Sequence, residues 1–178
     1  MTKRNNFVFI VLQVFAWIIF VGLSIEASAL LVNFIYSLFK PEVVHHLYQK
    51  LDLSAMYHRS QWAYFGMYSF ILVIAFLKAI MFYFVILLAT KLNLSSPFSA
   101  YVSKKITQIS YFTLSIGILS YLARETSLNL QQHGFDTDIL NQFWADSQAY
   151  IIMAAVIYII AVIFAKGVEL QNENDLTV

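Results

Sequence analysis

No cysteine occurs in this chain, which excludes disulfides, thiolate metal sites and cysteine nucleophiles. Charge is scarce as well. Asp, Glu, Lys and Arg make up 12% of the residues, where a soluble domain carries about 25%. Two prolines and five glycines leave little to interrupt helices. The net charge of +1 gives no basic excess for DNA phosphates. Internal repeats and low-complexity tracts are missing, and so are G-x-S-x-G, H-E-x-x-H and a phosphate loop. The expectation is a protein that is not an enzyme and needs neither cofactor nor metal.

Apolar residues are what the chain has in abundance: 60% of it is hydrophobic, with a mean hydropathy of +0.70. Gln61–Lys91 reads QWAYFGMYSFILVIAFLKAIMFYFVILLATK, and Lys78 is its one charge before the closing Lys91. About 20 apolar residues suffice to cross a bilayer as a helix. A soluble fold of this size has no means of covering such a helix on all sides. The composition is that of a polytopic membrane protein.

Taken in order, the chain predicts four spans. The first covers residues 7–39. Lys3, Arg4 and Ala27-Ser28-Ala29 imitate a signal peptide with its cleavage site, but the apolar run resumes at Leu30, so a transmembrane helix is the better reading. Gly22, Glu26, Ala29, Asn33 and Ser37 fall on one face of it, expected to turn into the bundle. After Lys40-Pro41, Val44, Leu47, Tyr48 and Leu51 recur at helical spacing, which predicts a short amphipathic helix on the membrane surface. Ser60 is placed to cap the second span, residues 61–91. Trp62 and Tyr64 at its head suit a membrane boundary.

Ser96-Pro97 is a helix-start signal. That helix leads through Lys104 and Lys105 into the third span, residues 106–122. Ser110, Thr113, Gly117 and Ser120 share one face there, the mark of a central, closely packed helix. Arg124 and Glu125 are expected to end it. A turn and a short interfacial helix should fill the stretch to Asp146. The fourth span is residues 149–165, followed by a short acidic tail, 166–178. Gly167 either caps the fourth helix or lies within one that continues through Leu170. The expected fold is all-α: a single membrane domain over 1–178, with four transmembrane helices in one bundle plus short interfacial helices. Six lysines and arginines (Lys3, Arg4, Lys91, Lys104, Lys105, Lys166) against four (Lys40, Lys50, Arg59, Arg124) place both termini in the cytoplasm.

Two stretches carry a family resemblance. SPFSAYVSKKITQISYF resembles a motif in which Asn/Ser-Pro-Phe opens a helix leading into a span; Ser96 stands where Asn is usual. FAKGVELQNENDLTV resembles a closing motif of apolar residues, Gly, Glu-Leu-Gln and Glu-Asn-Asp-Leu-Thr. With four spans, the chain resembles the bacterial membrane family catalogued as domain of unknown function 2975. The resemblance implies an inner-membrane protein with no established activity. Because members of that family are often encoded beside a small helix-turn-helix regulator, it also implies a transcription factor as partner.

Three groups of residues are candidates for function. Glu26 and Lys78 are ionisable residues within spans, where charges usually pair or find water. They read either as a ligand or proton site or as a pair that fixes helix packing. His45, His46 and His58, with Glu42 and Asp52, hold zinc-type donors. Adjacent histidines on a helix point about 100° apart, however, and a solvated interfacial face accounts for them. Lys104 and Lys105, with Glu169, Glu173 and Asp175, read either as charges at the headgroups and in solvent or as a docking surface for a soluble partner. The leading expectation is a non-enzymatic sensory or regulatory membrane module that binds a cytoplasmic helix-turn-helix regulator. The alternative is a small carrier or ion-handling protein working through Glu26 and Lys78. In both, the surroundings are the lipid bilayer.

Overall fold

The computed structural model describes residues 3–40, 42, 44, 47, 48, 51–92 and 97–176, with backbone alone at 3–8 and 174–176. Regular structure among them is all helical: α1 (Lys3–Phe39), α2 (Ser54–Arg59), α3 (Gln61–Lys91), α4 (Ala100–Gln132), a 3₁₀ helix (Asp138–Phe143) and α5 (Ser147–Leu176). Four of these, α1, α3, α4 and α5, are long and apolar enough to cross a membrane.

The long helices pack in chain order, α1 on α3, α3 on α4, α4 on α5. Each pair is antiparallel. Gln13 bonds Thr90 across α1 and α3, while the Tyr68 hydroxyl, nearer the other end, donates to Leu30 O at 3.1 Å. Phe84 meets Phe112 across α3 and α4, and Ser110 donates to Ala154 O at 2.9 Å across α4 and α5. The start of α1 and the finish of α5 therefore share one end, the terminal end. The opposite, distal end holds the two longer connections.

α4 is the central helix, as its polar stripe predicts: Ser110, Thr113, Gly117 and Ser120 are all buried. The prediction for α1 needs rotating by about one residue. Among its described side chains Ala16, Ala27, Leu30 and Ser37 are buried, Ser37 as expected. Glu26, Ala29 and Asn33 are half-buried on the flank, and Gly22 is exposed.

The helix expected after Pro41 lies partly outside the described residues. Among those described, Leu53 N bonds Val44 O and Leu47 N bonds Leu51 O across the segment, while Leu51 N bonds Tyr48 O within a single turn. Val44, Leu47, Leu51, Leu53 and Met56 enter the main core, because the spacing that gives a helix an apolar face also lets a folded loop turn those residues inward. The α-helix α2 follows, where Asp52 accepts from Ser54 N at 2.9 Å. Ser60 caps α3, accepting from Ala63 N. Tyr64 is fully buried, not at a boundary surface, and packs with Tyr57, Phe65 and Tyr68; Trp62 remains exposed.

The cap of α4 is Ser99, accepting from Val102 N; Ser96 lies outside the described residues. α4 does not stop at Arg124 and Glu125. RETSLNLQQ is polar but contains no proline or glycine, so the helix outlasts its hydrophobicity. It ends at Gly134, whose φ of +79° suits a residue without Cβ. Gly134 N bonds Gln131 O and Phe135 N bonds Leu130 O, the paired bonds of a Schellman closure. Arg59 donates to the exposed carbonyls of His133 and Gly134 and lies over the Phe135 ring, 4.5 Å from its centroid. A cation at the carbonyl end of a helix is favourable, and here it ties the first connection to the second. The second connection folds inward at Leu140, Phe143 and Trp144.

Candidate functional site

Lys78 and Glu26 sit deep in the spans, about 20–25 Å from the distal ends of α3 and α1 at 1.5 Å per residue. Both are half-buried. Lys78 lies within electrostatic reach of Glu26 and of Asp146, the residue just before α5. Its Nζ is 5.8 Å from the Tyr150 ring centroid, a cation–π arrangement. Among the described residues no hydrogen bond or ion pair joins Glu26 to Lys78 directly. The lysine thus lies within electrostatic reach of carboxylates from α1 and from the start of α5, near an aromatic ring. Asp146 and Tyr150 were not legible as partners, because nothing local to α5 shows which helix its first turn meets.

The terminal end brings the two family stretches together. Phe98 of Ser-Pro-Phe packs on Phe164, with ring centroids 5.3 Å apart, and its ring fills the space a Cβ on Gly167 would take. Gly167 is therefore a contact, not a helix end: α5 runs on through Leu176. The cost of glycine inside a helix, about 1 kcal/mol relative to alanine, is offset by this seat for Phe98.

The charged residues expected at this end fall into distinct settings. Lys104 is exposed and Lys105 half-buried. Lys105 Nζ lies 4.5 Å from the Phe84 centroid and donates to Gln108 Oε1 at 2.9 Å. Lys91 lies over Tyr101, which also flanks Lys105. Glu169 pairs with Lys166 one turn earlier at 2.6 Å, and that contact raises the Lys166 pKa above the usual lysine value. Glu173 is exposed on the same helix, and the Asp175 side chain lies outside the description. The acidic residues thus stand on a helical extension of α5, with Glu169 held by its own helix and not by Lys104 or Lys105.

Of the histidines, His58 is exposed, edge-on to Tyr57; His45 and His46 lie outside the described residues. Among the described residues, no three His, Cys, Asp or Glu side chains gather as a metal site.

The fold and the charges inside it define a polytopic helical membrane protein. The family described as Protein of unknown function (DUF2975) matches residues 46–178. The chain belongs to that family, and α1 precedes the matched region. No curated protein and no solved structure matches the chain.

Proposed function

We propose that this protein is a non-enzymatic regulatory module of a bacterial inner membrane, with both termini cytoplasmic, whose terminal end binds and releases a basic soluble protein. A small helix-turn-helix regulator is the partner indicated by the family association. One observation carries the reading: Phe98 seats on Gly167 and Phe164, so both family stretches build one surface at one end. α5 has 30 residues, about 45 Å at 1.5 Å per residue, against a hydrocarbon core of about 30 Å. Its last turns therefore project from the membrane as a helix that carries Glu169 and Glu173. An acidic helix gains nothing from anionic lipid but complements the basic surface of a DNA-binding protein.

Removal of residues 169–178 tests this. The truncated protein is expected to insert and fold normally yet no longer co-purify the regulator, and salt is expected to weaken the full-length complex. Equal capture by the truncated chain would show that the extension is not the docking element and would leave the Pro97–Lys105 segment. A second reading, a small carrier or ion-handling protein, is favoured by the arrangement of Lys78 with Glu26, Asp146 and Tyr150.

A further inference from the structure

The α4–α5 seam is tightest at Gly117. A Cβ there would lie 2.7 Å from Ile151 Cγ1, 3.0 Å from Ile151 N and 3.3 Å from Ser147 O. On either side of this pinch the seam opens, and the two openings differ in chemistry. Towards the distal end is a cleft of about 390 Å³, lined by Arg124, Leu128, Asn141, Trp144, Ser147 and Gln148. It presents a guanidinium, two amides and a hydroxyl. Trp144, in its wall, has a buried indole N–H with no hydrogen-bond partner among the described residues. Asp146 does not line the cleft and lies within reach of Lys78. Towards the terminal end is a groove of about 340 Å³ among Tyr111, Leu114, Ile151, Ala155 and Tyr158, almost wholly apolar.

Both openings are flanked by exposed residues. Tyr111, Leu114, Ile151 and Tyr158 are exposed below the pinch; Arg124, Asn141 and Gln148 are exposed above it. Along α4, the two levels are about 21 Å apart at 1.5 Å per residue. Half of a bilayer 40–45 Å thick is about that distance, from headgroup layer to midplane. Arg124 also stands where the apolar sequence of α4 gives way to RETSLNLQQ, at headgroup depth.

We infer that this seam binds one anionic phospholipid. Its phosphate lies against Arg124 and the amides of Asn141 and Gln148, and one acyl chain runs past Gly117 into the Tyr111–Tyr158 groove. The site is independent of any soluble partner at the terminal end. The charge of Arg124 selects the headgroup; the groove requires a lipid and not a free anion.

The test uses the full-length protein in detergent with three probes: phosphatidylglycerol, phosphatidylcholine with the same chains, and inorganic phosphate. Binding is read by native mass spectrometry and by the thermal shift. Phosphatidylglycerol is expected to bind about fivefold tighter than phosphatidylcholine, the gain of one arginine near an anionic headgroup, and phosphate is expected to give no shift. Arg124→Gln should bring the two lipids level, and Ala155→Phe, which fills the groove, should weaken both. Both positions are exposed, and unchanged melting without lipid checks that the variants fold. Equal binding of the two lipids, a preference that survives Arg124→Gln, or phosphate matching phosphatidylglycerol would each overturn the site.

Discussion

Lys78 carries a charge at a depth where charges persist by facing a counter-charge, a backbone carbonyl or water. Its surroundings supply Glu26, Asp146 and the Tyr150 ring, with no direct ion pair to Glu26 among the described residues. That geometry sets the size of the effect. A buried pair in contact loses about 3–5 kcal/mol when one partner is removed; charges that share a field without touching couple more weakly. Glu26→Gln and Lys78→Met should each lower thermal stability in detergent, and the double variant should recover about 0.5–1 kcal/mol, the lower end of coupling within a charge network. Strictly additive losses would mean that the two charges do not interact. The residues themselves are readable in the sequence, since an ionisable side chain inside an apolar run is conspicuous. Their depths follow from helix rise. Whether they touch depends on rotation of α1 about its axis, which no local pattern specifies.

Between elements, the α4–α5 contact depends on the absence of a side chain at Gly117. The atoms a Cβ would meet include backbone, Ile151 N and Ser147 O, so no rotamer change relieves the clash and the helices must part. Gly117→Leu should therefore destabilise the protein by about 1–3 kcal/mol or more, as overpacked cores do. Gly66→Ala is the control: nothing lies within 4 Å of a Cβ there, so no loss is expected in the same melting experiment. The small-residue face of α4 was legible because Ser110, Thr113, Gly117 and Ser120 keep helical register in a helix buried on several sides. The face of α1 was misplaced for a physical reason. Lipid is as apolar as a protein interior, so hydrophobicity cannot distinguish the side facing α3 from the side facing lipid, and of the expected face Ser37 is buried while Glu26 and Asn33 settled on the flank. Span ends were read from hydropathy, which marks where the membrane stops and not where the helix stops; α4 and α5 both continue past that point as polar helix. The contact of Phe98 with Gly167 joins residues far apart in the chain and left no local trace beyond a glycine where alanine would make a better helix.

For the whole molecule, the fold determines that the start of α1 and the finish of α5 lie at one end, because the long helices run antiparallel in succession. Which end faces the cytoplasm is a matter of charge. Lys91, Lys104, Lys105 and Lys166 belong to the terminal end together with Lys3 and Arg4; Lys40, Arg59 and Arg124 belong to the distal end, and Lys50 lies outside the described residues. Arg59 is engaged at the carbonyl end of α4, yet orientation is decided during insertion, before that contact forms, so it counts with the rest. Positive charge near the first span carries the most weight, and Lys3 and Arg4 open α1 just before its apolar run. Reporter fusions at Asn6, Asp52, Ser99, Thr137 and Val178 are expected to read inside, outside, inside, outside, inside. The fusion at Ser99 decides most, since it lies between α3 and α4 beside Phe98. An outside reading there would put the Phe98–Gly167 surface and the α5 extension beyond the reach of any cytoplasmic protein, and the regulatory reading would fall with it, whereas an inside reading leaves the Arg124 cleft facing the outer leaflet.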